Sequence, residues 1–426
     1  MNRETYSAYV QILRDELVPA LGCTEPIAIA FTAAKAKETL GKIPSRLEVG
    51  CSGNIIKNVQ GVVVPNSGGG KGIATAAILG ALGGSSADGL EVLSKIDPST
   101  IEKARELHDS GYCSCSHVKG ISNLYIAVKA YGDEGESAKV IVSGTHTNVI
   151  YIEKDGKVLY SQEGEAPSED PLTEEKKLLN VREIVEFART VELSDVEDVI
   201  ERQIEYNTEI SHEGLTQNWG AQVGRTISRF YGDDVKARAR AAAAAGSDAR
   251  MSGCPLPVVI NSGSGNQGMT VSLPVIEYAK ELKAPHEKLV RALVLSNLIS
   301  LLQKSYIGSL SAYCGAVSAA AGAGCGIAFL HDAEEKVIEA TLKNTLANVG
   351  GIVCDGAKPS CAAKIASSVD AAIMAFEMCY MSGKEFQAGE GLVKEDIEDT
   401  VRSYGKLGKD GMKATDEEIL EIMLED

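Results

Sequence analysis

The spacing of hydrophobic residues predicts helices at the start of the chain. Within residues 3–19, apolar side chains recur every three to four positions, as on the buried face of a helix. A second helix is predicted from Thr24 to about Leu40, because Thr24 suits an N-cap and Pro26 is tolerated in a first turn. Gly41 then ends this helix.

From Arg46 onwards the pattern changes to short runs of alternating or β-branched residues, which predict strands. Residues 54–64 are expected to form a turn followed by a β-rich stretch, and residues 65–71 a loop. With two helical segments, these strands make a compact α/β unit over about 45–165. The strands are expected at 46–51, 117–131, 138–145 and 148–160, and the helices at 73–82 and 99–110.

Residues 164–172 are acidic and contain two prolines, which is typical of a linker. After this linker nearly every segment has a helical pattern. The helical segments are 175–190, 194–207, 212–231, 235–246, 271–282, 285–304, 311–330, 333–348, 359–381, 393–404 and 416–424. The sequence therefore predicts an α+β fold. A mostly helical catalytic domain (172–426) carries an inserted, smaller α/β domain (45–165), and the N-terminal helices (1–44) pack on the helical domain.

Composition and charge narrow the class of protein. The chain has 426 residues, a net charge of −17 and a single tryptophan, which argues against a nucleic-acid partner. The N-terminus has no basic-then-apolar secretion signal, so we expect a cytoplasmic protein. Residues 305–330 carry no charged side chain, but their Ala, Gly, Ser and Cys content favours a packed core helix over a membrane span.

Ten cysteines in a chain without a secretion signal favour metal binding or catalysis over disulfides. Cys314, Cys354 and Cys361 stand out, because two of them flank a Gly/Pro-containing turn. Their spacing matches neither a ferredoxin nor a paired zinc site. One interpretation is a cubane cluster held by three thiolates, whose fourth iron is open to a substrate. The other is that all three are buried structural cysteines.

Cys23 directly precedes the predicted helix that opens at Thr24. The partial positive charge of a helix N-terminus stabilises a thiolate and lowers the pKa of a thiol. Cys23 is therefore a candidate base or nucleophile, and the alternative is a small buried residue at a turn. His146 follows a predicted strand and is the candidate active-site imidazole, although a lone histidine is more often structural.

Two loops rich in Gly, Ser and Asn offer backbone N–H groups and hydroxyls to an anion such as a carboxylate. One is Asn261-Ser-Gly-Ser-Gly-Asn-Gln-Gly268, and the other is Pro65-Asn-Ser-Gly-Gly-Gly-Lys71. Neither has the pattern of a phosphate-binding P-loop. The alternative is a flexible surface loop in each case. The candidate substrate-binding residues are Lys71, Asn261, Ser262, Gly263, Ser264 and Asn266.

Four motifs in combination resemble the L-cysteine desulfidase family, which is related to the iron–sulfur type of L-serine dehydratase. They are Ala20-Leu-Gly-Cys-Thr-Glu-Pro-Ile-Ala28, Asn261–Gly268, Tyr313-Cys-Gly315 and Cys354-Asp-Gly-Ala-Lys-Pro-Ser-Cys361. The resemblance covers essentially the whole chain. It implies a [4Fe–4S] cluster on Cys314, Cys354 and Cys361, and it assigns Cys23 as the proton acceptor.

The resemblance also implies a reaction and a substrate class. The reaction is β-elimination of L-cysteine to pyruvate, ammonia and sulfide without pyridoxal phosphate. L-serine, or another small β-substituted amino acid, is the alternative substrate, and a non-catalytic iron–sulfur sensor is the alternative of another class. The expected partner is a small amino-acid substrate, with no nucleic acid and no membrane, and we expect a homodimer.

Overall fold

The computed structural model describes residues 1–162, 173–308 and 310–425, and it has the mostly helical α+β fold that the sequence predicts. The predicted linker 164–172 lies outside the described residues. The helices are α1 (Arg3–Glu16), α2 (Thr24–Leu40), α3 (Gly53–Gln60), α4 (Gly72–Gly83), α5 (Pro98–Asp109), α6 (Thr173–Lys176), α7 (Val181–Thr190), α8 (Glu197–Thr216), α9 (Val223–Phe230), α10 (Val235–Met251), α11 (Gly265–Leu282), α12 (His286–Ile307), α13 (Gly315–Leu330), α14 (Glu335–Val349), α15 (Cys361–Ser382), α16 (Ile397–Lys406) and α17 (Lys413–Leu424).

Two sheets complete the described fold. The strands are β1 (Pro19–Leu21), β2 (Arg46–Cys51), β3 (Cys113–His117), β4 (Tyr125–Tyr131), β5 (Ser137–Ser143), β6 (Val149–Lys154), β7 (Lys157–Ser161) and β8 (Pro257–Val259). Six strands form one sheet in the order β3-β2-β4-β5-β6-β7, in which only β2 and β3 run parallel. Strands β1 and β8 pair antiparallel. The sequence predicts no strand in either segment, only an interruption between helices.

Alternating side chains of the large sheet form the core of the α/β unit. Ile126 and Val128 of β4 are fully buried, and Val140 and Val142 lie opposite them on β5. Helices α2 and α4 cover this apolar face. Apolar residues at every second position of β4 and β5 therefore decide which face of the sheet the helices cover.

The two N-terminal helices belong to different cores. Tyr9 of α1 packs edge-on against Phe187 of the helical domain, with 5.4 Å between ring centroids. Ile27 and Phe31 of α2 instead lie in the core of the sheet. The expectation that both helices pack on the helical domain is therefore wrong for α2, because its small apolar side chains face the sheet.

Residues 54–64 differ most from the sequence prediction. They begin with helix α3, not with a turn and a β-rich stretch. Ile55, Ile56 and Val59 are buried in it at helical spacing, while α17 packs nearby. The β-branched composition suggested a strand, but the spacing of the buried positions fits a helix. Likewise the single helix expected over 212–231 is divided between the end of α8 and α9.

Helix α13 is the centre of the helical domain. From Ala316 to Leu330 all its residues are buried, and it contacts α11, α12, α14 and α15. In the part of the chain that the structure describes, no helix is long and apolar enough to cross a membrane. Packing between helices accounts for the lack of charged residues in α13.

Asp248, near the end of α10, is a fully buried carboxylate that accepts the backbone N–H of Gly224 at 3.0 Å. Burial raises the pKa of Asp248 to about 6, from an ordinary value of 3.8, although backbone N–H groups oppose the shift. The folded state therefore binds this proton more tightly than the unfolded state does. The stabilising contribution of Asp248 is complete below about pH 4 and is lost as the pH rises through about 6.

We expect Asp248→Asn to remove this dependence, because the amide keeps the shape of the side chain and carries no charge. Between pH 4 and pH 7 the wild type should lose at most about 3 kcal/mol relative to the variant. Thermal unfolding of both proteins across this pH range measures the difference. Parallel curves for the two proteins would contradict the assignment.

Candidate active site

A partly enclosed cavity of about 100 Å³ lies where the α/β unit meets the helical domain. The start of α2 contributes Cys23 and Glu25, and α3 contributes Asn58. The loop after β5 contributes His146, and the end of α10 contributes Arg250. The remaining walls are the last turn of α12, the turn before α13, and two loops with the helices that follow them, the loop before α11 and the loop before α15.

The segments that contain Cys314 and Cys354 form a short antiparallel bridge, which places the two cysteines side by side. The N–H of Cys314 donates to the carbonyl of Ile352 at 2.9 Å, and the N–H of Cys354 donates to the carbonyl of Ala312 at 2.6 Å. Cys361 begins α15 and lines the same cavity. All three are free thiols.

The donor set fits a polynuclear cluster better than a single ion. A tetrahedral ion with metal–sulfur bonds of about 2.3 Å needs its sulfurs within roughly 4 Å of one another. The three sulfurs of Cys314, Cys354 and Cys361 do not all lie within 4.8 Å of one another. In a cluster each thiolate binds a different iron atom, so wider spacing is expected. Burial, and after it the neighbouring Cys354, raises the pKa of Cys314 to about 12, so a thiolate here requires positive charge beside it.

The loop between Cys354 and Cys361 is held by ion pairs. Asp355 pairs with Lys358 at 2.6 Å and with Lys364. Burial opposes ionisation of Asp355, but these two lysines lower its pKa to about 2. Lys57, which pairs with Asp416 of α17, also donates to the carbonyl of Cys354 at 3.3 Å. The C-terminal helix thereby supports the cysteine loop.

Cys23 and Glu25 form a hydrogen-bonded pair at the start of α2. The Sγ of Cys23 donates to Oε2 of Glu25 at 3.0 Å, and Asn58 Nδ2 donates to Oε1 of Glu25 at 3.1 Å. Burial, followed by the charge of Glu25, raises the pKa of Cys23 well above its usual value. The expected lowering of this pKa is therefore wrong for the thiol in this structure. Desolvation and a carboxylate at contact outweigh the weak charge of the helix terminus.

His146 packs against the loop before α11. It is only 9% exposed, and its Nε2 has no hydrogen-bond partner among the described residues. Burial lowers the pKa of His146, so its imidazole is neutral near pH 7. Gly263 has φ of +72°, and a Cβ there would lie 3.0 Å from Cε1 of His146, so glycine permits this contact.

The structure brings most of the sequence-predicted site residues to this one cavity. Those that line it are Cys23, His146, Ser262, Gly263, Ser264, Asn266, Cys314, Cys354 and Cys361. Asn261 does not line it, because its side chain is buried below the loop and bonded to Asn297 and Ser300. Lys71 is exposed at the start of α4 and does not line it either.

Seven polar residues of the cavity were not predicted as site residues. Lys304 is buried, and burial lowers its pKa to about 8. Glu25 lies inside the motif 20–28 and therefore had a signal in the sequence. Arg250 had none, because a basic residue in the last turn of a helix is ordinary. The seven residues are Glu25, Asn58, Arg250, Gln267, Lys304, Ser311 and Tyr313.

Fold and site define a mostly helical protein with a cavity that is lined by cysteine thiols and polar side chains. The sequence profile of the serine dehydratase alpha chain matches residues 87–421, and the chain belongs to this family. A UPF0597 protein of Lachnoclostridium phytofermentans is 53% identical to it, over 98% of this chain and 100% of the relative. A UPF0597 protein of Desulfitobacterium hafniense is 48% identical, over 98% of this chain and 97% of the relative.

Proposed function

We propose that this protein is a lyase that converts L-cysteine to pyruvate, ammonia and sulfide with a [4Fe–4S] cluster and without pyridoxal phosphate. The observation that carries the proposal is that three free thiols and the Cys23–Glu25 pair line one cavity. L-serine is the second candidate substrate, and the name of the matched family favours it. A small amino acid as partner, a homodimer and a cytoplasmic location are part of the same proposal.

Cys314, Cys354 and Cys361 would hold the cluster. When bound, it would supply a Lewis-acidic iron that polarises the leaving sulfur or oxygen of the substrate. Lys57 and the Asp355 ion pairs keep the cysteine loop in place.

Cys23 would take the α-proton of the substrate. Its own proton moves first to Oε2 of Glu25, 3.0 Å away, so that a thiolate forms only when it is needed. Asn58 holds the other oxygen of Glu25 and orients the carboxylate. The Cα–H electrons then form the Cα–Cβ double bond as the Cβ–S bond breaks, and hydrosulfide leaves. The 2-aminoacrylate product tautomerises to an imine, which water hydrolyses to pyruvate and ammonia.

His146 has a different role in this scheme. Its neutral imidazole lies beside Gly263 in the wall of the cavity. Its unpaired Nε2 is suited to a hydrogen bond with the substrate.

Anaerobic reconstitution with iron and sulfide, followed by product assays, tests the proposed reaction. With L-cysteine we expect pyruvate, ammonia and sulfide in equal amounts, and with L-serine pyruvate and ammonia only. The higher kcat/KM identifies the substrate. Iron without turnover of either amino acid would favour a sensor, and a well-folded protein that binds no iron would refute the mechanism.

A further inference from the structure

We infer that Arg250, Asn266 and Gln267 recognise the two charged ends of a free α-amino acid. The inference deepens the proposed function, on which it rests for the identity of the reaction. Arg250 is 2% exposed, and its Nε and Nη2 have no hydrogen-bond partner among the described residues. A guanidinium is always charged, so a buried one requires an anion.

The unpaired atoms of Arg250 define the shape of that anion. Nε and Nη2 lie on one edge of the guanidinium, and their two N–H bonds run parallel, which matches the two oxygens of a carboxylate. This edge lies at the start of α11, where a Cβ on Gly265 would be 2.4 Å from Nε. Glycine at this position therefore leaves room for the guanidinium beside the first turn of the helix.

Two buried acceptors in the same cavity indicate a cation. Asn266 Oδ1 and Gln267 Oε1 have no partner in the part of the chain that the structure describes. Asn266 Nδ2 donates to Sδ of Met251 at 3.5 Å, which leaves Oδ1 as the free end of the amide. An anion without a proton, such as chloride or sulfate, would leave both oxygens unpaired, whereas an ammonium group donates to them.

The acceptors also place the amino group next to the cysteines. The amide of Gln267 lies against Gly315, where a Cβ would be 2.5 Å from Cδ, and Gly315 follows Cys314. Glu25 adds a carboxylate to the same cavity. A ligand with a carboxylate and an ammonium group on one carbon satisfies both sets of atoms.

Binding of L-alanine tests the inference without any reaction, because L-alanine has no leaving group. Isothermal titration of the reconstituted protein compares L-alanine with propionate, which lacks the amino group, and ethylamine, which lacks the carboxylate. We expect both analogues to bind at least about 30-fold more weakly. Propionate that binds as tightly as L-alanine would overturn the inference.

Substitutions give the second arm of the test. Arg250→Lys keeps the positive charge but loses the two parallel N–H donors of the guanidinium. We therefore expect this variant to bind L-alanine about tenfold more weakly. Arg250→Met should weaken it by about 100-fold. If Arg250→Met does not fold, Arg250→Lys and Gln267→Leu decide the question. Arg240→Lys is the matched control, because Arg240 lies on the same helix and pairs with Asp370 outside the cavity.

Different results would refute the proposed reaction and the proposed amino-acid site. L-alanine binding that depends on Arg250, without turnover of L-cysteine or L-serine, would refute the reaction and leave the amino-acid site standing. Turnover with an unchanged KM in Arg250→Lys would refute the role of Arg250 and leave the reaction standing.

Discussion

Cys354→Ser is expected to lose most of the bound iron and to lower turnover by about 10³-fold or more. A thiolate is a far better ligand for iron than a serine hydroxyl, and loss of the Lewis acid removes several kcal/mol of transition-state stabilisation. Cys314→Ser and Cys361→Ser should behave in the same way, because all three thiols line one cavity. Iron analysis and visible absorbance after anaerobic reconstitution measure the loss independently of activity.

Cys115→Ser is the matched control for these three variants. Cys115 is an exposed cysteine on β3, at an edge of the large sheet, and it does not line the cavity. This control should keep both iron and activity. Full iron content in any of the three cavity variants would contradict the ligand assignment, as would an equal loss in Cys115→Ser.

Cys23→Ala should leave the iron content unchanged and lower turnover by about 10²- to 10⁴-fold, because the variant has no group to take the α-proton. Glu25→Gln should lower turnover by a similar factor. Its amide keeps the size of the carboxylate but cannot accept the proton of Cys23. Asn58→Ala should have a smaller effect, since Asn58 only orients Glu25.

Steady-state rates and iron content, measured together, separate these roles. Cys51→Ala is the control, because Cys51 is a buried cysteine of β2 outside the cavity. Full activity in Cys23→Ala would exclude Cys23 as the base. A normal rate in Glu25→Gln, with an inactive Cys23→Ala, would show that the thiol reacts without help from Glu25.

Local sequence patterns predicted most of the secondary structure. Residue spacing predicted the alternation in β4 and β5 and the packed helix α13. The positions of Thr24, Pro26 and Gly41 predicted where α2 begins and ends. Helix α3 was mispredicted, because β-branched residues outweighed the spacing of its buried positions. The packing of α2 on the sheet could not be predicted, since a helix of small apolar residues fits either domain.

The residues of the candidate site were likewise predicted only in part from the sequence. Motifs identified the three cavity cysteines, Cys23 and the loop before α11, because the combination of these motifs resembles a known family. They also suggested Asn261 and Lys71, which the structure places elsewhere. Arg250 could not be predicted, because nothing in the sequence of an alanine-rich helix indicates that its last arginine is buried. Nor does the sequence indicate that Nε and Nη2 of Arg250 have no hydrogen-bond partner among the described residues.

The sequence by itself determined most of the elements, the family and the cysteines that are available for a cluster. Only the tertiary structure decided that Cys23 is a protonated thiol paired with Glu25, and that Arg250, Asn266 and Gln267 share its cavity. The physical reason is that helices, turns and caps depend on neighbours within a few residues. Desolvation, pKa and unpaired polar atoms depend on side chains that packing brings together from distant parts of the chain.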